Sequence, residues 1–178
     1  TFAEHDAAYE MLSKAALPAA RRLALPVALM IGVKRAVNPA MKLAGDGVGP
    51  FNLDTLEALA RENEDITFFI TLLAEENQHG LCVTARKFSN IVPFGCWWFE
   101  NVPSEIERIT RLRLELLGPT FIAQHSDARV IEQLLYKWEH SLVVLGKVLT
   151  DYYTTMLSRG VQVNKPMIKK HVQRLLGG

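Results

Sequence analysis

Apolar positions recur at helical spacing along most of the chain, and the clearest run lies in its last third. Between Asp127 and Arg159 there is no proline, and Gly160 follows as a stop signal. Apolar side chains in this run alternate steps of four and three residues, which predicts one helix of about 45–50 Å. Its seam consists of Ile131, Leu135, Trp138, Leu142, Leu145, Leu149, Tyr152 and Met156. The pattern favours the central helix of a bundle, and a coiled-coil dimer seam is the alternative.

Proline and asparagine mark the boundaries of earlier helices. The first helix is expected to end before Pro18, and Pro26 fits the first turn of a second helix that the Asn-Pro pair at 38–39 stops. Asn52 is placed to cap a short helix that runs to about Glu62.

A further helix is predicted just before Gly80, which would be its left-handed C-cap. The residues on its apolar face are Ile66, Phe69, Ile70 and Leu73. The segment 81–92 fits a strand or a helix equally well, and Pro93 ends it in either case.

Two more helices complete the predicted fold. Ser104 and Glu107 have the spacing of a capping box, which opens a helix through Leu117. Asn164 and Pro166 open a short basic helix. We therefore predict an all-α single-domain helical bundle of six to eight helices around one long heptad-patterned helix at about 127–159. The domain spans 1–178, and a basic C-terminal helix at 160–178 can act as an arm.

Composition excludes several classes of protein. The chain has 178 residues, 49% of them hydrophobic, with a formal net charge of +1, which is typical of a globular domain and not of a disordered one. The longest uncharged apolar stretch, Leu23–Val33, is far shorter than the roughly 20 residues of a membrane span. Its two cysteines, Cys82 and Cys96, show no metal-binding or redox spacing. We expect an intracellular, reducing compartment, or a place within a nucleoprotein particle, and no membrane partner.

The small net charge conceals three blocks of charge. Residues 14–42 hold six basic residues and no acid, residues 46–76 hold eight acids and one arginine, and residues 159–178 hold five basic residues and no acid. Such blocks are usually solvated helix faces. They also create opposed surface potentials, through which one copy could bind the next or a phosphate backbone.

No motif for catalysis emerges from the sequence. Glu76 and His79 have the E-x-x-H spacing of a carboxylate-bundle metal site, but the second such pair is missing. The loop at 45–49 lacks the flanking strand and helix of a dinucleotide site, its third glycine is at a different spacing, and it lacks the lysine of a P-loop. We therefore expect a protein that is not an enzyme, with no cofactor and no metal. A metal-dependent bundle enzyme that uses Glu76 and His79 remains one hypothesis, after the two that are stated below.

Four aromatic residues stand close together in a loop between prolines: Phe94, Trp97, Trp98 and Phe99. Such a cluster either closes the end of a bundle or anchors a partner, because aromatic residues dominate both core and interface energetics. We take these four as the candidate partner-binding residues.

The leading hypothesis is a non-enzymatic, self-assembling structural protein, nucleocapsid- or coat-like, that binds RNA or DNA backbone without sequence preference and forms homo-oligomers or filaments. The candidate nucleic-acid-binding residues are Arg21, Arg22, Lys34, Arg35, Lys165, Lys169, Lys170 and Arg174. The alternative is a helical adaptor or regulatory bundle that binds a protein partner or a small apolar ligand.

Overall fold

A three-stranded parallel sheet lies at the centre of the fold. The computed structural model describes residues 9–176. Strand β1 (Val27–Ile31) pairs with β4 (Phe68–Leu72), which pairs with β5 (Ile91–Pro93), so that the order is β1-β4-β5. The strands β2 (Val33–Lys34) and β3 (Gly47–Val48) form a separate antiparallel pair.

The parallel pairing continues beyond β5. An isolated parallel bridge joins Phe94 to Ile122, and main-chain bonds run from Ile122 N to Pro93 O and from Gly95 N to Ile122 O. The segment around Ile122 therefore lies beside β5 as a minimal fourth strand.

Helices account for most of the remaining structure. The α-helices are α1 Leu17–Leu23, α2 Leu53–Glu62, α3 Gln78–Lys87, α4 Pro103–Leu117, α5 Ile131–Ser158 and α6 Lys165–Leu175. A π-helical turn precedes α1 at Leu12–Ala16. Short 3-10 segments occupy Pro39–Gly45, Glu75–Asn77 and Trp98–Glu100. Within residues 9–176, no helix combines the length and the apolar character that crossing a membrane requires.

The all-α prediction is wrong because two apolar runs that we assigned to helices are strands. Phe68–Leu72 is buried at four of its five positions, so it lacks the polar–apolar alternation that marks a half-exposed strand. Val27–Ile31 is the neighbouring strand with which it pairs in parallel. As a consequence, the helix ending at Gly80 does not exist, and Gly80 instead lies inside α3.

The first hydrophobic core lies between the sheet and helices α1, α2 and α3. Phe68, Ile70 and Leu72 point to this side of β4 and are fully buried. Their helical partners in the core are Leu17, Ala20, Leu56, Ala60 and Leu81. The sheet is thereby fixed on one face, which positions its carboxyl ends.

The second core joins α4, α5 and α6. The long helix is confirmed, although it begins at Ile131, four residues later than predicted. Its buried residues are Ser141, Leu145, Val148, Leu149 and Tyr153, whereas Ile131 and Leu135 near its start are each 76% exposed. The predicted seam is therefore not the centre of a bundle, because the helix packs on α4 and α6 beside the sheet.

The helix caps predicted from the sequence are only partly confirmed. Asn52 and Asn164 are confirmed as caps, since their side chains accept hydrogen bonds from the amides of Asp54 and Met167, both at 2.9 Å. The capping box at Ser104 is wrong, because α4 begins at Pro103 without a side-chain cap.

Pro18 does not end the first helix as predicted. It lies in the first turn of α1, where a missing N–H removes no intrahelical hydrogen bond. The π-helical turn Leu12–Ala16 leads the chain into that position.

The basic C-terminal helix α6 packs on the rest of the fold. Leu175 is fully buried, and its carbonyl accepts a hydrogen bond of 2.7 Å from the amide of Ala123. The hydroxyl of Tyr153 lies 2.8 Å from Nδ1 of His171.

Candidate functional site

An open cleft of about 890 Å³ lies beyond the carboxyl ends of the parallel strands. Its walls come from the segment after β1, the turn after β5, and the segment that follows the bridge at Ile122. In parallel sheets this edge is where ligands bind, because the chain leaves each strand there and its loops converge. The lining residues are Met30, Val33, Arg35, Leu43, Ala44, Trp97, Trp98, Phe99, Asn101, Asp127, Arg129, Gln133, Tyr136 and Lys137.

One carboxylate and three cationic groups face this cleft. Asp127 is the only acidic residue among the described residues that line it, and Arg35, Arg129 and Lys137 are the basic ones. Asp127 has a φ of 43°, in the left-handed region that aspartate and asparagine adopt more readily than other residues with a side chain. Its carbonyl accepts a hydrogen bond of 3.0 Å from Nζ of Lys137. The excess of positive charge suits an anionic ligand.

Arg35 is held at the cleft by Asp46. The Asp46 carboxylate accepts from Nη1 of Arg35 and, at 2.9 Å, from the amide of Ala36. The amide of Ala36 and the Arg35 guanidinium, with Arg129 farther off, lower the pKa of Asp46 below its ordinary value. Asp46 therefore stays ionised and keeps Arg35 at the rim.

The aromatic turn (residues 97–101) forms another wall of the cleft. Trp98 stacks on Phe99 with ring centroids 4.7 Å apart and planes 16° apart, while Trp97 is buried. Trp98 has a φ of 47°, a left-handed conformation that is strained for a bulky side chain. Flat aromatic faces next to cationic groups can bind a ligand that is partly apolar and partly anionic.

Asn101 is fixed at the end of this turn. Its Nδ2 donates to the carbonyl of Cys96 at 2.8 Å, and its Oδ1 lies 3.0 Å from Nε2 of His140 on α5. Asn101 therefore presents its amide to the cleft in one orientation.

A buried polar network lies behind the turn. Gln78 donates to Glu100 Oε1 at 2.8 Å and to Leu72 O at 2.7 Å, and Arg113 donates to Gln78 Oε1 at 3.0 Å. Burial raises the pKa of Glu100 to about 7, although Arg113 and the Gln78 hydrogen bond oppose the rise. Burial also raises the pKa of the Cys96 thiol to about 12, so this cysteine is an inert core residue.

Some of the residues singled out from the sequence meet in the cleft. Arg35, Trp97, Trp98 and Phe99 line it. Phe94 does not line it, and instead packs on Phe69 and His125 with ring centroids 6.2 and 4.9 Å away. As partner-binding residues, the four aromatics stay a prediction.

The remaining basic candidates are spread over other surfaces. Arg21 lines a separate hollow next to Asp65, to which its Nε donates at 2.6 Å, and Arg174 lines another beside Pro119. Lys34 lies on β2, apart from these two hollows. The others are Arg22 on α1 and Lys165, Lys169 and Lys170 on α6. No one of the described cavities gathers these side chains.

The segregated charge blocks are partly neutralised inside the chain. The pairs Arg21–Asp65 and Arg35–Asp46 each join the first basic block to the acidic block. The sequence pattern that suggested contacts between copies therefore also serves contacts within one copy.

Sequence reasoning missed Asp127, Arg129 and Asn101 as site residues. A signal was available for the first two, because Phe121, Ile122 and Ala123 form a short apolar run followed directly by polar residues. Recognition of this run as a strand would have placed Asp127 and Arg129 at its carboxyl end.

The proposed E-x-x-H metal pair is not assembled. Glu76 lies in a 3-10 segment and His79 in the first turn of α3, and both are exposed. In the part of the chain that the structure describes, no group of three or more His, Cys, Asp or Glu side chains is placed to hold a metal ion.

Comparisons with known proteins relate this chain to an enzyme. No family model matches it, and no curated protein matches it. A uronate isomerase from Bacillus halodurans has a TM-score of 0.89 and 48% identity over 94% of this chain. A uronate isomerase from Thermotoga maritima has a TM-score of 0.70 and 20% identity over 85% of this chain, which is a likeness of fold alone.

These similarities overturn the predicted function. The prediction of a non-enzymatic, nucleocapsid- or coat-like structural protein is wrong, since the similarity of 48% is to an enzyme. It was drawn from charge blocks and from missing motifs, and neither reports on groups that only the folded chain brings together. The chain spans 40% and 34% of the lengths of the two isomerases. The single-domain boundaries stay a prediction, as do self-association, nucleic-acid partners and the compartment.

Proposed function

We propose that this chain forms part of the catalytic machinery of a uronate isomerase and that the cleft binds the sugar acid. The observation that carries the proposal is the position of Asp127 among Arg35, Arg129 and Lys137 at the carboxyl ends of the parallel strands. The identity of 48% to a uronate isomerase over 94% of the chain supports the same assignment.

The cationic residues suit recognition of the substrate. A uronate carries a carboxylate at one end of a sugar, and an arginine guanidinium binds a carboxylate through two parallel hydrogen bonds. Arg129 and Arg35 fill this role at the cleft. The indole face of Trp98 packs on the carbon–hydrogen face of the sugar.

Asp127 suits the chemical step. Isomerisation of an aldose to a ketose removes a proton from C2 and returns one to C1, while the hydroxyl proton at C2 shifts to the oxygen at C1. Asp127 accepts the first proton as a general base and delivers the second as a general acid. The intermediate enediolate is anionic, and the neighbouring cationic groups stabilise it.

The test combines binding and turnover with the purified chain. Isothermal titration with glucuronate and with glucose measures whether the carboxylate is recognised. Nuclear magnetic resonance of glucuronate labelled with ¹³C at C1 follows conversion of the aldose into the ketose. In D2O the ketose gains deuterium at C1 to the extent that the proton held on Asp127 exchanges with solvent before it is delivered. We expect Asp127→Asn to lower turnover on the order of 10²- to 10⁴-fold.

The matched control is Asp54→Asn, which changes an exposed aspartate at the start of α2. It should leave binding and turnover unchanged. A protein that neither binds glucuronate in preference to glucose nor converts it contradicts the proposed function, and full turnover in Asp127→Asn contradicts the role of that residue.

A further inference from the structure

Glu100 belongs to the aromatic turn, and its carboxyl group is buried on the side of the turn that faces away from the cleft. It is 3% exposed. Its Oε1 accepts one hydrogen bond from Gln78 Nε2 at 2.8 Å, whereas its Oε2 is buried and has no hydrogen-bond partner among residues 9–176. An ionised carboxylate ordinarily accepts several hydrogen bonds, so this environment suits the neutral form better.

The network around Glu100 ties the turn to three other elements. Gln78 on α3 also donates to the carbonyl of Leu72 at the end of β4. Arg113 on α4 donates to Gln78 Oε1 and to the carbonyl of Gly95, which begins the segment leading to the turn. Both amide hydrogens of Gln78 and its oxygen therefore have partners. These contacts fix the orientation of Gln78, which donates a single hydrogen bond to Glu100.

Charged groups near Glu100 act in both directions. Arg113 and Arg108 on α4 favour ionisation, and Glu105 on the same helix opposes it. Arg108 is shared with Glu105 and Glu75, and the thiol of Cys96 stays protonated. Burial outweighs the two arginines and raises the pKa of Glu100 to about 7.

We propose that Glu100 is a positioning residue: its neutral carboxyl group keeps the aromatic turn packed on α3 and α4, and its ionisation releases the turn from that position. Release brings Glu100 to water, where its charge is solvated. The turn carries Trp97, Trp98 and Asn101, so the aromatic wall of the cleft is ordered below neutral pH and loosened above it.

Tryptophan fluorescence tests this inference without any ligand. The chain has three tryptophans, and Trp138→Phe leaves only the two in the turn. We expect the emission of this variant to shift to longer wavelength, and its quenching by acrylamide to rise, with a midpoint near pH 7. Adding Glu100→Gln, which copies the shape of the neutral acid, should remove this transition between pH 6.5 and 9.

Two surface changes test the charge dependence without threatening the core. Arg108→Gln should raise the midpoint and Glu105→Gln should lower it, because the first side chain favours ionisation of Glu100 and the second opposes it. Glu107→Gln, on the side of α4 that faces α5, where the carboxylate binds Lys147, should leave the midpoint unchanged. A merely structural role of Glu100 would produce none of these opposed shifts.

A second group near the turn, His125, also titrates, and its transition can be distinguished from that of Glu100. His125 lies 6.4 Å from Trp97, and burial lowers its pKa below the ordinary value of 6.5, so its signal lies in the acid range and persists in Glu100→Gln. The inference is overturned if no transition occurs between pH 6.5 and 9, or if that transition survives Glu100→Gln.

The kinetic consequence rests on the proposed function. If the chain turns over a hexuronate, KM should rise above pH 7 in the wild type and stay constant there in Glu100→Gln. A fluorescence transition without any turnover would contradict the proposed function and leave this inference standing. Turnover without the fluorescence transition would overturn this inference and leave the proposed function standing.

Discussion

Nη1 of Arg113 donates a hydrogen bond of 2.8 Å to the main-chain oxygen of Gly95. Arg113 is 1% exposed, and its guanidinium also lies over the ring of Phe121, with Cζ 5.9 Å from the ring centroid. One buried cation thus joins α4, the segment after β5 and, through Gln78, the end of β4. The cleft depends on this contact although Arg113 does not line it.

Arg113→Ala should destabilise the fold substantially. The substitution leaves Gly95 O and Gln78 Oε1 without their donor, and each unpaired buried acceptor costs about 1–3 kcal/mol. We expect the free energy of unfolding in urea to fall by about 2–4 kcal/mol. Arg86→Ala, at an exposed arginine on α3, should change it by less than about 0.5 kcal/mol. Equal effects of the two substitutions would contradict the role of Arg113.

Stability should fall as pH rises through neutrality because of Glu100. Its pKa is about 7 in the folded protein against an ordinary 4.5. A carboxyl group with a raised pKa contributes stability that is present below pH 4.5 and lost as pH rises to 7. At about 1.4 kcal/mol for each pKa unit, the difference between 4.5 and about 7 corresponds to a loss of at most about 3–4 kcal/mol.

Urea unfolding of the wild type and of Glu100→Gln between pH 4.5 and 9 measures this loss. The difference between their free energies of unfolding should change across that window and level off above pH 8. A constant difference at every pH would show that Glu100 has the same pKa in the folded and unfolded chain.

Gly95→Ala should lower the free energy of unfolding more than Gly160→Ala does, although both glycines have a positive φ. Gly95 has a φ of 63°, and an added Cβ would lie 2.1 Å from Cδ2 of His125. Gly160 has a φ of 79° with open space around it, so Gly160→Ala measures the backbone cost alone. We expect Gly95→Ala to cost about 1–3 kcal/mol more in urea unfolding, and His125→Ala to recover part of that difference.

Signals carried by single side chains were predictable from the sequence. Asn52 and Asn164 act as caps through their own oxygen atoms, and Gly160 follows the long helix with a positive φ. These features depend on residues within one turn of each other, so the sequence alone contains the interaction.

The sheet was not predictable in the same way. Val27–Ile31 and Phe68–Leu72 are five-residue apolar runs, and their strand conformation is decided by parallel pairing across about 40 positions. The cleft depends on that pairing. Arg35 and Trp98 were singled out from the sequence, but Asp127 could be placed beside them only once Ile122 was seen to pair next to β5.

Arg129→Gln should weaken binding of a hexuronate and leave binding of a neutral hexose nearly unchanged. Arg129 lines the cleft beside Asp127, and its amide is fixed by Gln133 Oε1 at 2.8 Å. A hydrogen bond to a charged group contributes about 1.5–3 kcal/mol, so the Kd for glucuronate should rise at least about tenfold in isothermal titration. Arg22→Gln, on α1 outside the cleft, is the control. Because Arg129 is exposed, its contribution should also shrink as salt is raised. An equal loss of affinity for glucuronate and glucose would mean that Arg129 shapes the cleft without binding the carboxylate.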